Sequence, residues 1–439
     1  MPVSIGIRRE DKSIWERRTP ITPAAAQQVL RQHQVQVMVQ PSAQRAFSAA
    51  EFEIAGATMQ EVLAECPIVF GIKEIPADTF VPGQAYMFFA HVIKGQAYNM
   101  PMLQTLLDLG CTLIDYEKVT DDAGRRLIFF GWHAGVAGML ETLRALGQRL
   151  AVQGIANPFS ALRRAYDYHD INEARQAVVA LGQTIRSEGL PAEMMPLVIG
   201  VAGYGNVARG AWEILDLLPV ERITPEQLAD LAARPRSSHT LYATTFHEQH
   251  MAAPLEPGAM FDLQEYYTHP ERYRAAFEPY LPHLSVLVNA IYWEPRYPRL
   301  ITKDYLRWAW DTGNSRLLVI GDISCDIDGA IECTVKSTEP GEPDFVYHPL
   351  TGAEQDGVEG EGVLVMAVDI LPAELPRDAS DYFAGVLLPY VPALAAADYS
   401  VSFDDLMLPP EIKRAVIVHR GKLTPSYAYL QDHLTDGGR

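Results

Sequence analysis

Lys73, His91, Glu117, Asn289 and Asp322 each stand at or just past the end of a short apolar run. In open parallel sheets ligands bind beyond the carboxyl ends of the strands, so these polar residues are where chemistry would be placed. Lysine becomes a base when it is desolvated, and histidine titrates near neutrality, so Lys73 and His91 form a candidate proton-transfer pair. The same two positions also read as a surface lysine and a loop histidine held by hydrogen bonds. Glu117 and Asp322 read equally as helix caps or solvated charges.

A second constellation lies mid-chain. Gly203-Tyr204-Gly205-Asn206-Val207-Ala208 follows the apolar run 197–202 and precedes an amphipathic helical pattern over 208–218. In that context G-x-G-x-x-A is a dinucleotide fingerprint: Gly203 turns tightly, Gly205 lets the backbone approach a pyrophosphate, and Ala208 lets helix pack on strand. Asn206 and Val207 head the helix, whose free N–H groups face the phosphates. An ordinary glycine-rich strand-to-helix connection is the alternative. An acid about 20 residues further on would hold the ribose of NAD. Here Glu221 falls inside the short strand pattern 220–223, and Arg222 becomes a candidate for a 2′-phosphate.

The elements that must position these groups follow from the apolar periodicity. Strand patterns occur at 3–7, 35–39, 68–72, 85–90 and 112–116, with helical patterns between several of them. Thr22 before Pro23 reads as an N-cap followed by a helix. A long helical pattern over 134–153 opens on small residues (Ala134, Gly135, Ala137, Gly138), suited to close packing where domains meet. Further strands are expected at 285–290 and 317–320, and a helix over 380–396. The expected fold is α/β, with two Rossmann-like domains of mostly parallel sheet and an active-site cleft between them. Residues 1–135 with 370–439 would form the substrate and catalytic domain, and 136–369 the dinucleotide-binding domain. The tail is expected to pack back on the first domain.

Composition narrows the classes. The 439 residues carry 55 acidic and 36 basic side chains, a formal charge of −19, which argues against nucleic acid or an anionic membrane as partner. The four cysteines lack C-x-x-C spacing and read as reduced core residues. His247-Glu248-Gln249-His250 has the wrong spacing for a zinc helix and reads as surface helix, so no metal is expected. With no signal-peptide pattern and no long apolar stretch, a soluble cytoplasmic protein is expected. Arg8, Arg9, Lys12, Arg17 and Arg18 stand out against the acidic background, and arginine forks suit carboxylates.

Several motifs together resemble a known family. Arg8-Arg9-Glu10-Asp11, Trp15-Glu16-Arg17-Arg18-Thr19-Pro20-Ile21-Thr22-Pro23, Gly71-Ile72-Lys73, Phe88-Phe89-Ala90-His91 and Ile114-Asp115-Tyr116-Glu117-Lys118 are similar to lysine-ketoglutarate reductase, as are His269-Pro270-Glu271-Arg272-Tyr273 and Asn289-Ala290-Ile291-Tyr292-Trp293-Glu294. That activity is the N-terminal half of α-aminoadipic semialdehyde synthase, within the alanine dehydrogenase, transhydrogenase and saccharopine dehydrogenase superfamily. The alanine dehydrogenase branch lacks the long segment 224–284.

The resemblance implies reductive condensation of L-lysine with 2-oxoglutarate to saccharopine, with NADP as cofactor and NAD as the alternative. It gives Lys73 and His91 the acid and base roles, and makes Arg18, Glu117 and Arg126 substrate-binding. Asn289, Asp322, Asp326 and Asp369 join the fingerprint residues and Arg222 around the cofactor. It leaves room for a homo-oligomer, and implies a separate saccharopine-cleaving enzyme. Two other readings stay open: another amino-acid dehydrogenase or secondary-amine-forming reductase, and a non-catalytic nucleotide or amino-acid sensor.

Overall fold

The computed structural model describes residues 3–233 and 237–436. The expected outer limits of the first domain, 1 and 439, lie outside the described residues. The chain divides into two compact units, with breaks after Phe129 and after Leu375. Sequence patterning set these breaks after 135 and 369. The first difference has a plain cause: helix Gly131–Val152 is continuous, with most of its side chains buried.

In the first unit, six parallel strands run Thr112–Asp115, Ala85–Phe88, Ile68–Phe70, Ser4–Ile7, Gln36–Val39 and Thr58–Met59 across the sheet. Strand order reverses between Ser4–Ile7 and Ile68–Phe70, which opens a crevice beyond their carboxyl ends. Parallel pairing delivers Glu10, Lys73, His91 and Glu117 to that one edge. Helix Pro23–His33 begins as expected, with Thr22 as N-cap and Pro23 in the first turn. In the tail, strand Val416–His419 pairs antiparallel with Thr112–Asp115. The single helix expected over 380–396 is two, Pro376–Leu387 and Val391–Ala396. Pro389 and Pro392 each lack an N–H, and each disfavours helix in the residue before it.

The second unit repeats the plan. Strands Val363–Met366, Val319–Asp322, Val286–Asn289, Val198–Ala202, Leu241–Phe246 and Val220–Arg222 are parallel, and Asp344–Tyr347 and Glu354–Asp356 complete an antiparallel edge. Both faces are covered: Val286 and Val288 join one apolar cluster and Leu287 the other. Each such buried side chain contributes about 1.5–3 kcal/mol.

The small residues that open helix Gly131–Val152 have a packing role inside the second unit. They seat this helix on the fingerprint helix, Asn206–Leu215, of the same unit. A Cβ on Gly135 would lie 1.8 Å from the carbonyl oxygen of Val207, and one on Gly210 2.1 Å from that of Trp132. Cys66, Cys111 and Cys333 are buried, and all four cysteines are free thiols. Among the described residues no helix is long and apolar enough to cross a membrane, and no group of three or more His, Cys, Asp or Glu is placed to hold a metal.

Candidate active site

In the first unit the buried carboxylate of Glu10 accepts from the backbone N–H of Ile72 (2.7 Å) and of Lys73 (3.0 Å). This fixes the turn that carries Lys73. Burial pushes the Glu10 carboxyl up to about 7, with Arg8 opposing the rise. Arg8 is itself buried; it binds Asp11 at 2.7 Å and lies 3.9 Å from Glu10.

The next residue, Glu74, ties this turn to His91. Its Oε1 meets His91 Nδ1 at 2.9 Å and Lys12 Nζ at 3.0 Å. Burial alone would raise the Glu74 carboxyl, but His91, its own backbone N–H and Lys12 bring it down to about 2. A charged Glu74 selects the His91 tautomer with the proton on Nδ1 and leaves Nε2 to exchange one. His91 sits at φ +48°, a left-handed conformation rare for a residue with a side chain. Asn99 supports it by donating to the carbonyl oxygens of Ala90 and His91, both at 3.1 Å. Asp115 is buried beneath this edge, accepting from the N–H of Glu117 at 2.8 Å and of Ala90 at 3.3 Å. Burial carries its carboxyl up to about 7.

The expected substrate-binding residues are differently placed. Arg126 Nη1 lies 3.7 Å from Glu117 Oε1, and both side chains reach solvent. Arg18 is buried and grips Glu16 with two bonds, Nε at 2.8 Å and Nη2 at 2.6 Å. Burial alone would raise the Glu16 carboxyl; Arg18 and, more weakly, the Lys73 charge hold it below its usual range.

In the second unit the fingerprint has the geometry a pyrophosphate needs. Gly203 adopts φ +103°, and a Cβ there would lie 2.8 Å from the carbonyl oxygen of Ala290. Gly205 caps helix Asn206–Leu215, with open space where its side chain would be. Ala208 is buried against the sheet. A cavity of about 400 Å³ adjoins the turn, lined by Tyr204, Glu248, Tyr267, Ala290, Tyr292 and Trp293 among others. Its aromatic walls and the open glycine cradle fit the adenosine and pyrophosphate of a dinucleotide. The segment 252–275 supports these walls. Its antiparallel pair Ala252–Pro254 and Tyr273–Ala275 and its helix Leu263–Thr268 gather Phe261, Tyr266 and Tyr273 around Tyr297.

The other expected cofactor residues divide. Asn289 and Asp322 end adjacent strands and bond each other, Nδ2 to Oδ1 at 2.9 Å. Burial raises the Asp322 carboxyl to about 6. Asp326 and Asp369 are exposed. Burial, with Asp322, Asp369 and Asp326 adding to it, lifts the Cys325 thiol to about 12, so the structure brings these three carboxylates round one thiol. Arg222 is committed to Asp216, with Nη2 at 2.7 and 2.6 Å from its two oxygens, and stacks 4.0 Å from the Trp212 ring.

The strand beside the fingerprint strand is Leu241–Phe246, and Val220–Arg222 is displaced to the edge. The place of a ribose-binding acid therefore falls at His247 and Glu248, not at Glu221. The helix expected over 247–250 is the short Glu248–Met251, and His250 is buried rather than on the surface.

Residues 6–137 match the family described as alanine dehydrogenase/PNT, N-terminal domain. A solved L-alanine dehydrogenase shares the fold, with TM-score 0.61 and 18% identity over 98% of this chain and 99% of its own. Over residues 6–137 the chain thus matches that domain family, and as a whole it shares the fold of the solved dehydrogenase. The chain is 38% identical to an alpha-aminoadipic semialdehyde synthase of Arabidopsis thaliana, over 97% of this chain and 41% of the relative. The chain thus spans less than half of that relative's length. A saccharopine dehydrogenase (NAD(+), L-lysine-forming) of Emericella nidulans is 25% identical, over 88% of this chain and 90% of the relative.

Glu10 and Glu74 were not singled out from sequence, although Glu10 lies in the Arg8-Arg9-Glu10-Asp11 motif and Glu74 directly follows Lys73. Arg209 was also passed over; its signal is its position directly after the fingerprint alanine.

Proposed function

We propose that this chain catalyses the NADPH-dependent reductive condensation of L-lysine with 2-oxoglutarate to saccharopine. The observation that carries the reading is the Glu74 bridge, which joins the Lys73 turn to His91 Nδ1 at the carboxyl edge of the first sheet. A pure binding protein has no need of a proton-transfer pair held in this way.

The reaction needs both members. A free lysine ε-ammonium, with pKa about 10.4, must lose a proton before its nitrogen attacks the keto carbon. The carbinolamine then loses water with the help of an acid, leaving an imine. Lys73 and His91 divide these steps, with His91 exchanging its proton at Nε2 while Nδ1 stays on Glu74. The chemistry that a bound NADPH would supply is the hydride that reduces this imine.

The substrates carry three carboxylates, and the arginines answer to them unequally. Arg126, weakly paired and open to solvent, takes a substrate carboxylate, and Glu117 beside it takes a substrate ammonium. Arg18, held by two bonds to Glu16, joins only if that pair is exchanged. Gly203, Gly205, Asn206, Val207 and Ala208 would hold the pyrophosphate, and Asn289 with Asp322 shapes the neighbouring strand ends. Asp326 and Asp369 lie further round the same strand ends.

The test is oxidation of NADPH followed by absorbance, with 2-oxoglutarate and L-lysine, L-ornithine or no amine, and with L-alanine plus pyruvate as a control. Turnover with lysine alone is expected. Turnover with another amine instead would replace the substrate and keep the reaction class. Tight dinucleotide binding without turnover on any amine would overturn the catalytic reading in favour of a sensor.

A further inference from the structure

We propose that Arg209 reads the 2′-phosphate of a phosphorylated nicotinamide dinucleotide and makes this chain selective for NADP(H) over NAD(H). The proposal rests on the dinucleotide-binding reading above and deepens it.

The strand pairing places the adenosine end of the site. Ala202 is in register with Phe246, so the residues just beyond both strand ends meet. The Tyr204 ring of the fingerprint turn stacks on His247, with centroids 4.6 Å apart and planes 25° from parallel. The ribose of a dinucleotide lies beyond the end of the strand adjoining the fingerprint strand. There a cavity of about 520 Å³ opens, lined by Tyr204, Ala208, Arg209, Trp212, Arg222 and His247 among others.

Its charges do not balance. Glu213, which also lines it, is taken by Arg175 and by the Trp132 indole N–H. Asp216 and Arg222 neutralise each other. Arg209 stands in the first turn of helix Asn206–Leu215, exposed. Among the described residues its guanidinium has no ion pair or hydrogen bond. An unpaired arginine fork beside the ribose position is what a phosphate monoester dianion requires, because it can accept two parallel charge-assisted bonds from the fork.

Glu248 is the group that would instead favour an unphosphorylated ribose, by accepting its 2′-hydroxyl. It lines the neighbouring cavity, and its Oε1 is already met by the hydroxyls of Tyr204 at 3.1 Å and Tyr267 at 2.6 Å.

Binding to the full chain, without substrate, tests this directly. NADPH, NADH, 2′,5′-ADP and 5′-AMP are titrated into the wild type, Arg209→Ala and Arg222→Ala by calorimetry. The wild type is expected to bind NADPH and 2′,5′-ADP more tightly than NADH and 5′-AMP. Arg209→Ala should weaken the two phosphorylated ligands about 10- to 100-fold, the range for a lost charge-assisted bond, and leave NADH within about twofold. Arg222→Ala should cost the phosphorylated ligands less. Equal losses for NADPH and NADH in Arg209→Ala, or tighter wild-type binding of NADH and 5′-AMP, overturn the assignment while the dinucleotide site stands. Failure of the folded wild type to bind any of the four overturns the dinucleotide reading itself.

Discussion

Glu374 in the second unit gives the sharpest quantitative prediction. It is 1% exposed, and neither carboxyl oxygen has a hydrogen-bond partner. Around it lie Glu141, Arg144, Asp344 and Arg164. Arg144 is already committed to Glu141 at 2.6 Å and to Asp344. Arg144, with Arg164 as the second cation, thus faces three carboxyls in a buried cluster. Burial, reinforced by Glu141, raises the Glu374 carboxyl well above the ordinary range, so the folded chain keeps this proton after the unfolded chain has released it. A group raised in this way adds stability below its unfolded pKa, about 4.3, and that stability is lost as pH rises towards the folded value. Across that window the loss is about 1.4 kcal/mol per pH unit for one proton. For a unit of this size that is about 3–6 °C of melting temperature per pH unit. Glu374→Gln removes the titration, so the variant should gain on the wild type by that increment per pH unit. Thermal unfolding of the full chain, wild type and Glu374→Gln, at a series of pH values from mildly acidic to mildly alkaline measures the difference. Parallel melting curves at every pH would mean that Glu374 is ionised in the folded chain, and would refute the argument from burial.

Lys73→Met and His91→Gln should each lower turnover about 10²- to 10⁴-fold, the usual worth of a positioned acid or base, with NADPH binding retained; near-normal rates in either variant remove that residue from the mechanism. Glu74→Gln leaves His91 Nδ1 without a charged partner and should shift the acid limb of the pH–rate profile, whereas a purely structural role would lower the rate evenly at all pH values. Gly135→Ala would set a methyl group against the carbonyl oxygen of Val207; overpacking of this kind costs about 1–3 kcal/mol. Because it displaces the fingerprint helix, it should weaken NADPH and NADH alike in the titrations described for Arg209.

The parts legible in the sequence are those governed by neighbours along the chain. The Gly203 turn, the Thr22 cap and the polar residues that follow the runs ending at Phe70, Phe88 and Asp115 are local in this sense. Turn conformation, cap chemistry and the two-residue period of a strand are all written within a few positions. The motif resemblance added the roles of Lys73 and His91 on top of that local reading. Partnerships across long separations were not legible. Glu74 reaches His91 across 17 residues, and Glu10 reaches Lys73 across 63. The Arg18 grip on Glu16 spans only two residues, yet burial by the surrounding fold sets its strength.

The amino-acid sequence by itself determined that there are two sheets of mostly parallel strands, that one carries a glycine-rich turn of the dinucleotide-fingerprint type, and that Lys73 and His91 follow strands of the other. Only the tertiary structure decided that Leu241–Phe246, and not the earlier Val220–Arg222, lies beside the fingerprint strand. That choice moves the ribose end of the site from Glu221 to His247 and brings Arg209 into the cavity beside it. The reason is physical: an apolar strand that will be buried on both faces has the same pattern wherever it enters a sheet. Which neighbour it pairs with is settled by packing the whole layer at once, not by the residues of the strand alone.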